Sequence, residues 1–479
     1  MPAAQGARWR RHAHGSTISS GAMSGGRTVI DRTRLAALVE RERALFRERT
    51  PRSRALAEEA RSVQIFGVPM PWMAKWVGGY PLFYAEAHGA RIVDVDGHSY
   101  VDFALGDTGS MPGHSPEPTV RAVARRIGEL GGVTTMMPTE DSTWVAGELR
   151  RRFGLPYWQF ALTATDANRF VLRIARQIQR RRRVLVFNWC YHGSVDETVA
   201  VIGPDGETAP KPGNVGPQVD PAETTVVVEF NDLEGVRRAL ARRDVACVLT
   251  EPALTNIGIV LPEPGFLEGL EQACRETGTL LVYDETHTIS AGPGGCVAAW
   301  GLTPDILTIG KSLGAGVPVA AYGVSQAVLD RIEADDEGDY LDWGGVGGTL
   351  AGNALSLAAT RATLAEVLTD EAFVRMTELA TRYREGVQAA IDRHGVPWCI
   401  VQLGARAEYH FYPEPPASGG QAAALIDDEL DDYLHLYTLN RGIVMTPFHN
   451  MALMCPATTE ADVDLHSEVF DAAVGELAG

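Results

Sequence analysis

The chain has 479 residues, 45% hydrophobic and 22% charged, an ordinary globular composition with apolar material for more than one core. Its formal net charge of −18 argues against a nucleic-acid surface, which needs clustered Lys and Arg, and reads as a source of solubility. Cys190, Cys247, Cys274, Cys296, Cys399 and Cys455 follow neither CxxC nor finger-like spacing, so no disulfide framework or structural zinc site is indicated and a reducing cytoplasm is expected.

No apolar stretch approaches the roughly 20 residues that span a bilayer, so a soluble protein with no membrane partner is expected. Residues 1–30 read as a disordered leader, or as sequence ahead of a start at Met23; their Arg and Ser content without acids is only superficially that of a transit peptide. From Asp31 to Arg61, Arg, Glu, Leu and Ala recur at helical spacing, broken at Thr50-Pro51. The following 67-GVPMPWMAKWVGGYPLF-83 is an unusually apolar loop, either packed on the core or walling a pocket. Two β-type runs flank Asp96-Gly97 in 90-ARIVDVDGHSYVDFALG-106, a hairpin signal.

Beyond the hairpin, the strand-like runs 184-VLVF-187, 225-TVVVEF-230, 244-DVACVLT-250, 279-TLLVYD-284 and 306-ILTIG-310 alternate with helical stretches such as 232–243 and 266–278. That alternation predicts a parallel sheet covered by helices on both faces. After Gly352, long Ala/Leu helices precede a mixed tail with strand-like 406-RAEYHFY-412 and 443-IVMTPF-448. The expected organisation is a leader (1–30), an N-terminal segment of a small domain (31–95), a large α/β domain (96–345) and a C-terminal part of the small domain (346–479).

In an open parallel sheet, ligands bind beyond the carboxyl ends of the strands. Asp284 and Lys311 both stand at such ends, so they can face one crevice. A lysine in a largely apolar crevice can be held as a neutral amine and attack a carbonyl, while a carboxylate can hold the proton of a pyridinium nitrogen. The alternative is a buried ion pair, or two unrelated strand-end residues. In 162-LTATDANRFVLRIARQ-177, small and hydroxyl residues around Thr163 and Thr165 run into an amphipathic helix, either a phosphate site or an ordinary N-cap. Tyr191 and His192 follow a strand and can stack on a planar ring, or belong to the core.

Taken together, these segments resemble the class III, fold type I pyridoxal-phosphate aminotransferases, in the branch with glutamate-1-semialdehyde aminomutase and the β-amino-acid and amine transaminases. The carriers are Asp96-Gly97, the TATDA of Thr163–Ala167, the CYHG of Cys190–Gly193, Glu251-Pro252 with 256-NIGIVLPEPGFLEGL-270, the DET of Asp284–Thr286, IGKSLGAGVPVAAYG around Lys311, and the GGTLAGN of Gly347–Asn353. The resemblance implies a large domain with a mostly parallel sheet between helices, a smaller α+β domain from both chain ends, and pyridoxal 5'-phosphate as cofactor. It implies that Lys311 forms the internal aldimine and moves the substrate proton, and that Asp284 bonds the ring nitrogen. Ala164 and Thr165 would contact the phosphate, Tyr191 would stack on the ring, Thr286 would pack beneath it, and His192 and Glu251 would complete the surroundings. Thr349 would reach the phosphate of a neighbouring subunit, which implies a homodimer with shared sites and leaves a tetramer open.

The departures carry information too. Ala164 replaces a family glycine, Thr286 replaces the usual Val, and the N-terminal arginine that many relatives use for a substrate carboxylate is absent. Trp72, Met73 and Trp76 there suggest an apolar, aromatic-friendly pocket. Arg406 could bind a carboxylate or pair a structural acid, and His449, with Asn450, lies in a loop that could close over the site. The expected activity is transamination from an amine or amino acid to a keto acid, ketone or aldehyde, with intramolecular amino transfer second. A metal hydrolase using Asp284, Glu285 and His287 is a remote third, because side chains three apart on a strand diverge.

Overall fold

The computed structural model describes residues 28–216 and 219–479, so all but the last three residues of the expected leader lie outside the described residues. The N-terminal helical pattern forms Arg32–Arg49 and Pro51–Ala60, divided where Pro51 has no N–H to continue the ladder. The hairpin at Asp96-Gly97 also forms, with Arg91–Asp94 antiparallel to Ser99–Asp102.

Seven strands make the central sheet: β1 (Tyr157–Ala161), β2 (Arg183–Phe187), β3 (Thr225–Val228), β4 (Val245–Thr250), β5 (Leu280–Asp284), β6 (Ile306–Ile309) and β7 (Ala320–Val324). Their spatial order is β1-β7-β6-β5-β4-β2-β3. The sheet is not uniformly parallel: β7 runs antiparallel to both β6 and β1. The five expected strands form the parallel run β6-β5-β4-β2-β3, and 320-AAYGV-324, which returns from Lys311 directly, adds beside β6 in the opposite direction.

Every residue of β4, β5, β6 and β7 is buried, as expected of strands covered on both faces. Alternate residues serve alternate layers. Val184, Val186 and Val282 join Val171 and Ile174 of the helix Ala164–Gln179, whereas Leu185, Leu281 and Tyr283 join Leu267 and Leu270 of the helix Phe266–Thr277. Among the described residues, no helix is long and apolar enough to cross a membrane.

Both ends of the chain build a second region. Ile443–Val444 pairs in parallel with Ser99–Asp102, and Cys399–Leu403, Arg406–His410 and Met451–Leu453 form a separate antiparallel sheet. This sheet is tied to the loop after β5: Ala405 N–H donates to Ser290 O at 2.8 Å, and Ser290 Oγ donates to Leu403 O at 3.2 Å. Between these contacts Gly404 has φ +59°, and a Cβ there would meet Ser290 O at 2.1 Å. Gly404→Ala is therefore expected to destabilise the protein by about 2 kcal/mol, read as a lower urea midpoint; an unchanged midpoint would show that this junction yields freely.

Candidate active site

One crevice lies beyond the carboxyl ends of β4, β5 and β6. It has a volume of about 370 Å³, and its lining includes Asp284, Thr286, His287, Lys311, Glu251, Tyr191 and His192. Asp284 and Lys311 do not pair with each other: each has its own set of partners, and the cavity lies between the two sets.

Asp284 closes β5 and is buried. Its Oδ2 accepts from His192 Nδ1 and from Asn168 Nδ2, both at 2.9 Å, and its Oδ1 accepts from Thr286 N at 3.1 Å. Burial alone would neutralise the carboxyl, but the His192 bond and charge, with the Thr286 and Asn168 bonds, bring it down to about 2. Burial works against the His192 charge as well; Cys190 and the bond to Asp284 outweigh it and raise the imidazole above its ordinary range. A buried anion is thereby held ready for a cationic partner.

The helix Ala164–Gln179 starts at the crevice wall, with Thr163 as N-cap: Thr163 Oγ1 accepts from Asp166 N at 3.1 Å. Thr163, Ala164 and Thr165 all line the cavity at the positive end of the helix. The methyl of Ala164 is accommodated because position 310 is glycine; a Cβ on Gly310 would lie 3.1 Å from that of Ala164. Gly193 adopts φ +84°, and a Cβ there would strike Thr165 Oγ1 at 2.1 Å, so the CYHG turn closes against the helix start only with glycine. Ser194 N–H then donates to Thr165 Oγ1 at 3.1 Å.

The Lys311 end is more polar than an apolar crevice would be. Lys311 Nζ donates to Asp107 Oδ2 at 2.8 Å and lies 2.8 Å from His287 Nε2. Burial opposes charge on Asp107, but the Lys311 cation outweighs it and holds the carboxyl well below the usual carboxylate range. Asp107 belongs to a run of four positive φ values, Leu105 (42°), Gly106 (57°), Asp107 (51°) and Thr108 (79°), and Lys311 itself has φ 49°. Left-handed backbone at non-glycine residues is costly, and its concentration around one amine marks this as a functional loop.

The apolar loop divides between its two expected roles. Trp72 lines the crevice, with its ring 5.3 Å from Tyr191 and 5.7 Å from Phe448 in edge-on contacts. Trp76 does not reach the crevice; it packs against the cluster of Phe46, Val77 and Tyr80. Arg406 is fully buried and lies behind His287 rather than on the wall, so it cannot offer a fork to a carboxylate there. His449 is likewise buried, with Nδ1 3.2 Å from Glu408 Oε1. Thr349 is exposed and away from its own chain's cavity. The metal arrangement fails on geometry: Asp284 turns to His192, His287 to Lys311, and Glu285 to the N–H groups of Cys296 and Val297.

Sequence reasoning missed Asn168 and Asp107. Asn168 carried a signal, since it is an amide on the apolar face of an amphipathic helix, one turn from Thr165; its Oδ1 accepts from Thr308 Oγ1 at 2.7 Å, which fixes its orientation toward Asp284. Asp107 carried none beyond the tolerance of Gly and Asp for left-handed turns.

The buried Thr286 Oγ1 and His192 Nε2 have no hydrogen-bond partner, and the cavity offers N–H groups at one edge, a carboxylate at another and an amine at a third. This donor set fits a planar pyridine ring bearing a phosphate and an aldehyde. Fold and site define a pyridoxal 5'-phosphate enzyme of fold type I, and that is its cofactor. The family model for class-III aminotransferases matches residues 72–470, and the chain belongs to this family.

Among solved structures, a glutamate-1-semialdehyde-aminomutase from Pseudomonas aeruginosa PAO1, determined in complex with PMP, is 48% identical with a TM-score of 0.91, covering 94% of this chain and 99% of that one. An omega-transaminase from Sphaerobacter thermophilus is 28% identical with a TM-score of 0.81, covering 89% and 98%. Among curated proteins, a glutamate-1-semialdehyde 2,1-aminomutase from Sorangium cellulosum is 34% identical over 423 residues, 87% of this chain and 94% of its own length.

Glu251 carries a pH signature. It follows β4, accepts from Thr255 N at 3.1 Å and from the Thr255 hydroxyl, and is pushed up to about 7 by burial. An acid whose folded value is raised holds its proton more tightly folded than unfolded. Its contribution is complete below the unfolded value of about 4.5 and is lost as the pH rises to about 7. Thermal midpoints of the apoprotein at pH 5 and pH 7.5 test this: Glu251→Gln should narrow the fall between them, and an equal fall in both proteins would count against the assignment.

Proposed function

We propose that the protein is a transaminase that takes an amino group from an amine, or from a β- or ω-amino acid, and passes it to a keto acid, ketone or aldehyde. The observation that carries this reading is the crevice wall: among the described residues that line it the only ammonium or guanidinium is Lys311, while Trp72 and Tyr191 give it an aromatic side. A donor with an apolar or aryl group suits that wall better than a small substrate with two charged ends.

When bound, pyridoxal phosphate supplies the aldehyde that receives the amino group and the ring that delocalises the resulting negative charge. In this reading Lys311 would hold the cofactor by its aldehyde carbon, and its amine would move the proton at the substrate carbon. Asp284, kept ionised by His192, Thr286 and Asn168, would retain the proton on the ring nitrogen. Tyr191 would stack on the ring, Thr286 would pack against it with its unpartnered hydroxyl free to donate, and Ala164 and Thr165 would hold the phosphate at the helix start. Glu251 and Trp72 shape the substrate side and exclude water.

The assembly belongs to the same reading. Thr349 would contact the phosphate of a second copy in a homodimer, and support comes from the exposed apolar side chains Leu341, Trp343 and Leu350 in the same stretch of chain. We place a large unit at 96–345 and a small one at 31–95 with 346–479; the sheet of Cys399–Leu403, Arg406–His410 and Met451–Leu453 supports the small unit, and Ser99–Asp102, paired with Arg91–Asp94 and Ile443–Val444, joins it from the start of the large one. A cytoplasmic setting fits the six unpaired cysteines. The second reading, a 2,1-aminomutase, is favoured by the names of the 48% and 34% identical relatives.

One comparison separates the two. The yellow cofactor-loaded protein is mixed with 1-phenylethylamine, or with glutamate-1-semialdehyde, and its spectrum and products are followed. A transaminase bleaches with the amine and releases acetophenone. An aminomutase leaves the amine untouched and converts the semialdehyde to its transposed isomer. Lys311→Ala should lose the yellow band and slow either reaction by about 10²–10⁴-fold.

A further inference from the structure

His287 lies between two cationic side chains. Its Nε2 is 2.8 Å from Lys311 Nζ; its Nδ1 is 2.9 Å from Thr108 Oγ1 and 3.3 Å from an Arg406 guanidinium nitrogen. Burial and then the Lys311 cation hold His287 well below its ordinary range, so the ring has one N–H and one lone pair. Lys311, as an ammonium, and Arg406 bring only donors. Both cannot be satisfied at once: whichever nitrogen carries the proton, one cation faces an N–H. Thr108 is indifferent, because a hydroxyl donates or accepts.

Arg406 is short of partners. It is fully buried, its Nε has none, the Glu408 carboxylate is 3.9 Å away, and Thr255 O accepts at 3.3 Å. A buried guanidinium in this state gains from any acceptor that comes free. The shorter contact belongs to Lys311, which favours the lone pair on Nε2 while the amine is free.

We propose that His287 is a positioning residue whose ring proton changes nitrogen with the state of Lys311: Nε2 accepts from Lys311 while the amine is free, and Nδ1 accepts from Arg406 once that nitrogen is bound covalently. The ring keeps one proton throughout, exchanged with water through the crevice on which Lys311 opens, its side chain 27% exposed. Arg406 acts on Lys311 through His287, and covalent capture of the amine is favoured because it releases the lone pair to a buried cation. This role rests on Lys311 being the cofactor-binding lysine, but its test needs neither cofactor nor substrate.

The experiment is nitrogen-15 NMR of the histidine rings in apoprotein, with the His287 signals assigned by their loss in His287→Gln. Wild type should carry its proton on Nδ1, Lys311→Met on Nε2, and Lys311→Met with Arg406→Lys should keep Nε2–H, because a donor remains. The same tautomer in wild type and Lys311→Met overturns the proposal. As a second reading, Arg406→Met should weaken retention of pyridoxal phosphate about tenfold, and Arg406→Lys should largely restore it. Neither change should matter in a His287→Phe background; an equal loss there would make Arg406 merely structural and overturn the proposal. A protein that shows the tautomer change but catalyses no amino transfer would leave this inference standing and remove the functional reading.

Discussion

The crevice depends on keeping one largely buried carboxylate ionised. Asp284 is buried at the end of a wholly buried strand, where an unpaired charge would cost several kcal/mol. The protein meets that cost with an imidazole, an amide and a backbone N–H converging from three segments. Two of those contacts fix other parts of the site. Asn168 is aimed by Thr308, so the helix that starts at Ala164 is registered against β6, which leads to Lys311. His192 precedes Gly193, whose missing side chain lets the turn close on Thr165. The carboxylate, the helix start and the lysine strand are thus positioned by one connected polar set.

The second polar set is built on different principles. Asp284 is satisfied on both oxygens by neutral or protonated donors, whereas Asp107 leaves one oxygen without a partner and sits on strained backbone. Satisfied networks are rigid, and partly satisfied ones have alternatives open to them. This division suits a site in which one end must hold a ring still and the other must bind and release an amine. It also explains why Lys311 and Asp284 are not an ion pair: each is neutralised locally, and the space between them is free.

Much of this was legible in the sequence, for a definite reason. Asp284, Lys311, Thr165 and Tyr191 stand at strand ends or helix starts, and in a sheet of this kind local pattern alone says which way such ends point. Trp76, Arg406 and His449 were offered for the substrate side, Arg406 with a structural pairing as its alternative, and none of them lines the crevice, because their positions depend on how the second region meets the first. Arg406 begins a strand whose direction is fixed by pairing with Cys399–Leu403 and Met451–Leu453, and no local period reports that the side chain runs behind His287. The antiparallel β7 was missed for a related reason: 320-AAYGV-324 looks like any buried strand, and its direction follows from the short return after Lys311. Asp107 could not be found, since its importance lies in a backbone conformation and in a partner far along the chain.

Family membership and chemistry leave substrate choice to the walls. Aminotransferase and aminomutase share the same lysine and carboxylate requirements, so neither residue separates them. What differs is the recognition of the groups around the amine. A site built to take a carboxylate needs a forked donor exposed to the cavity. Here the Arg406 guanidinium is turned to an imidazole and a backbone carbonyl, and the carboxylate of Asp107 lies beside the Lys311 amine instead. The wall therefore presents an anion beside the Lys311 amine and apolar contact from the edge-on rings of Trp72 and Tyr191.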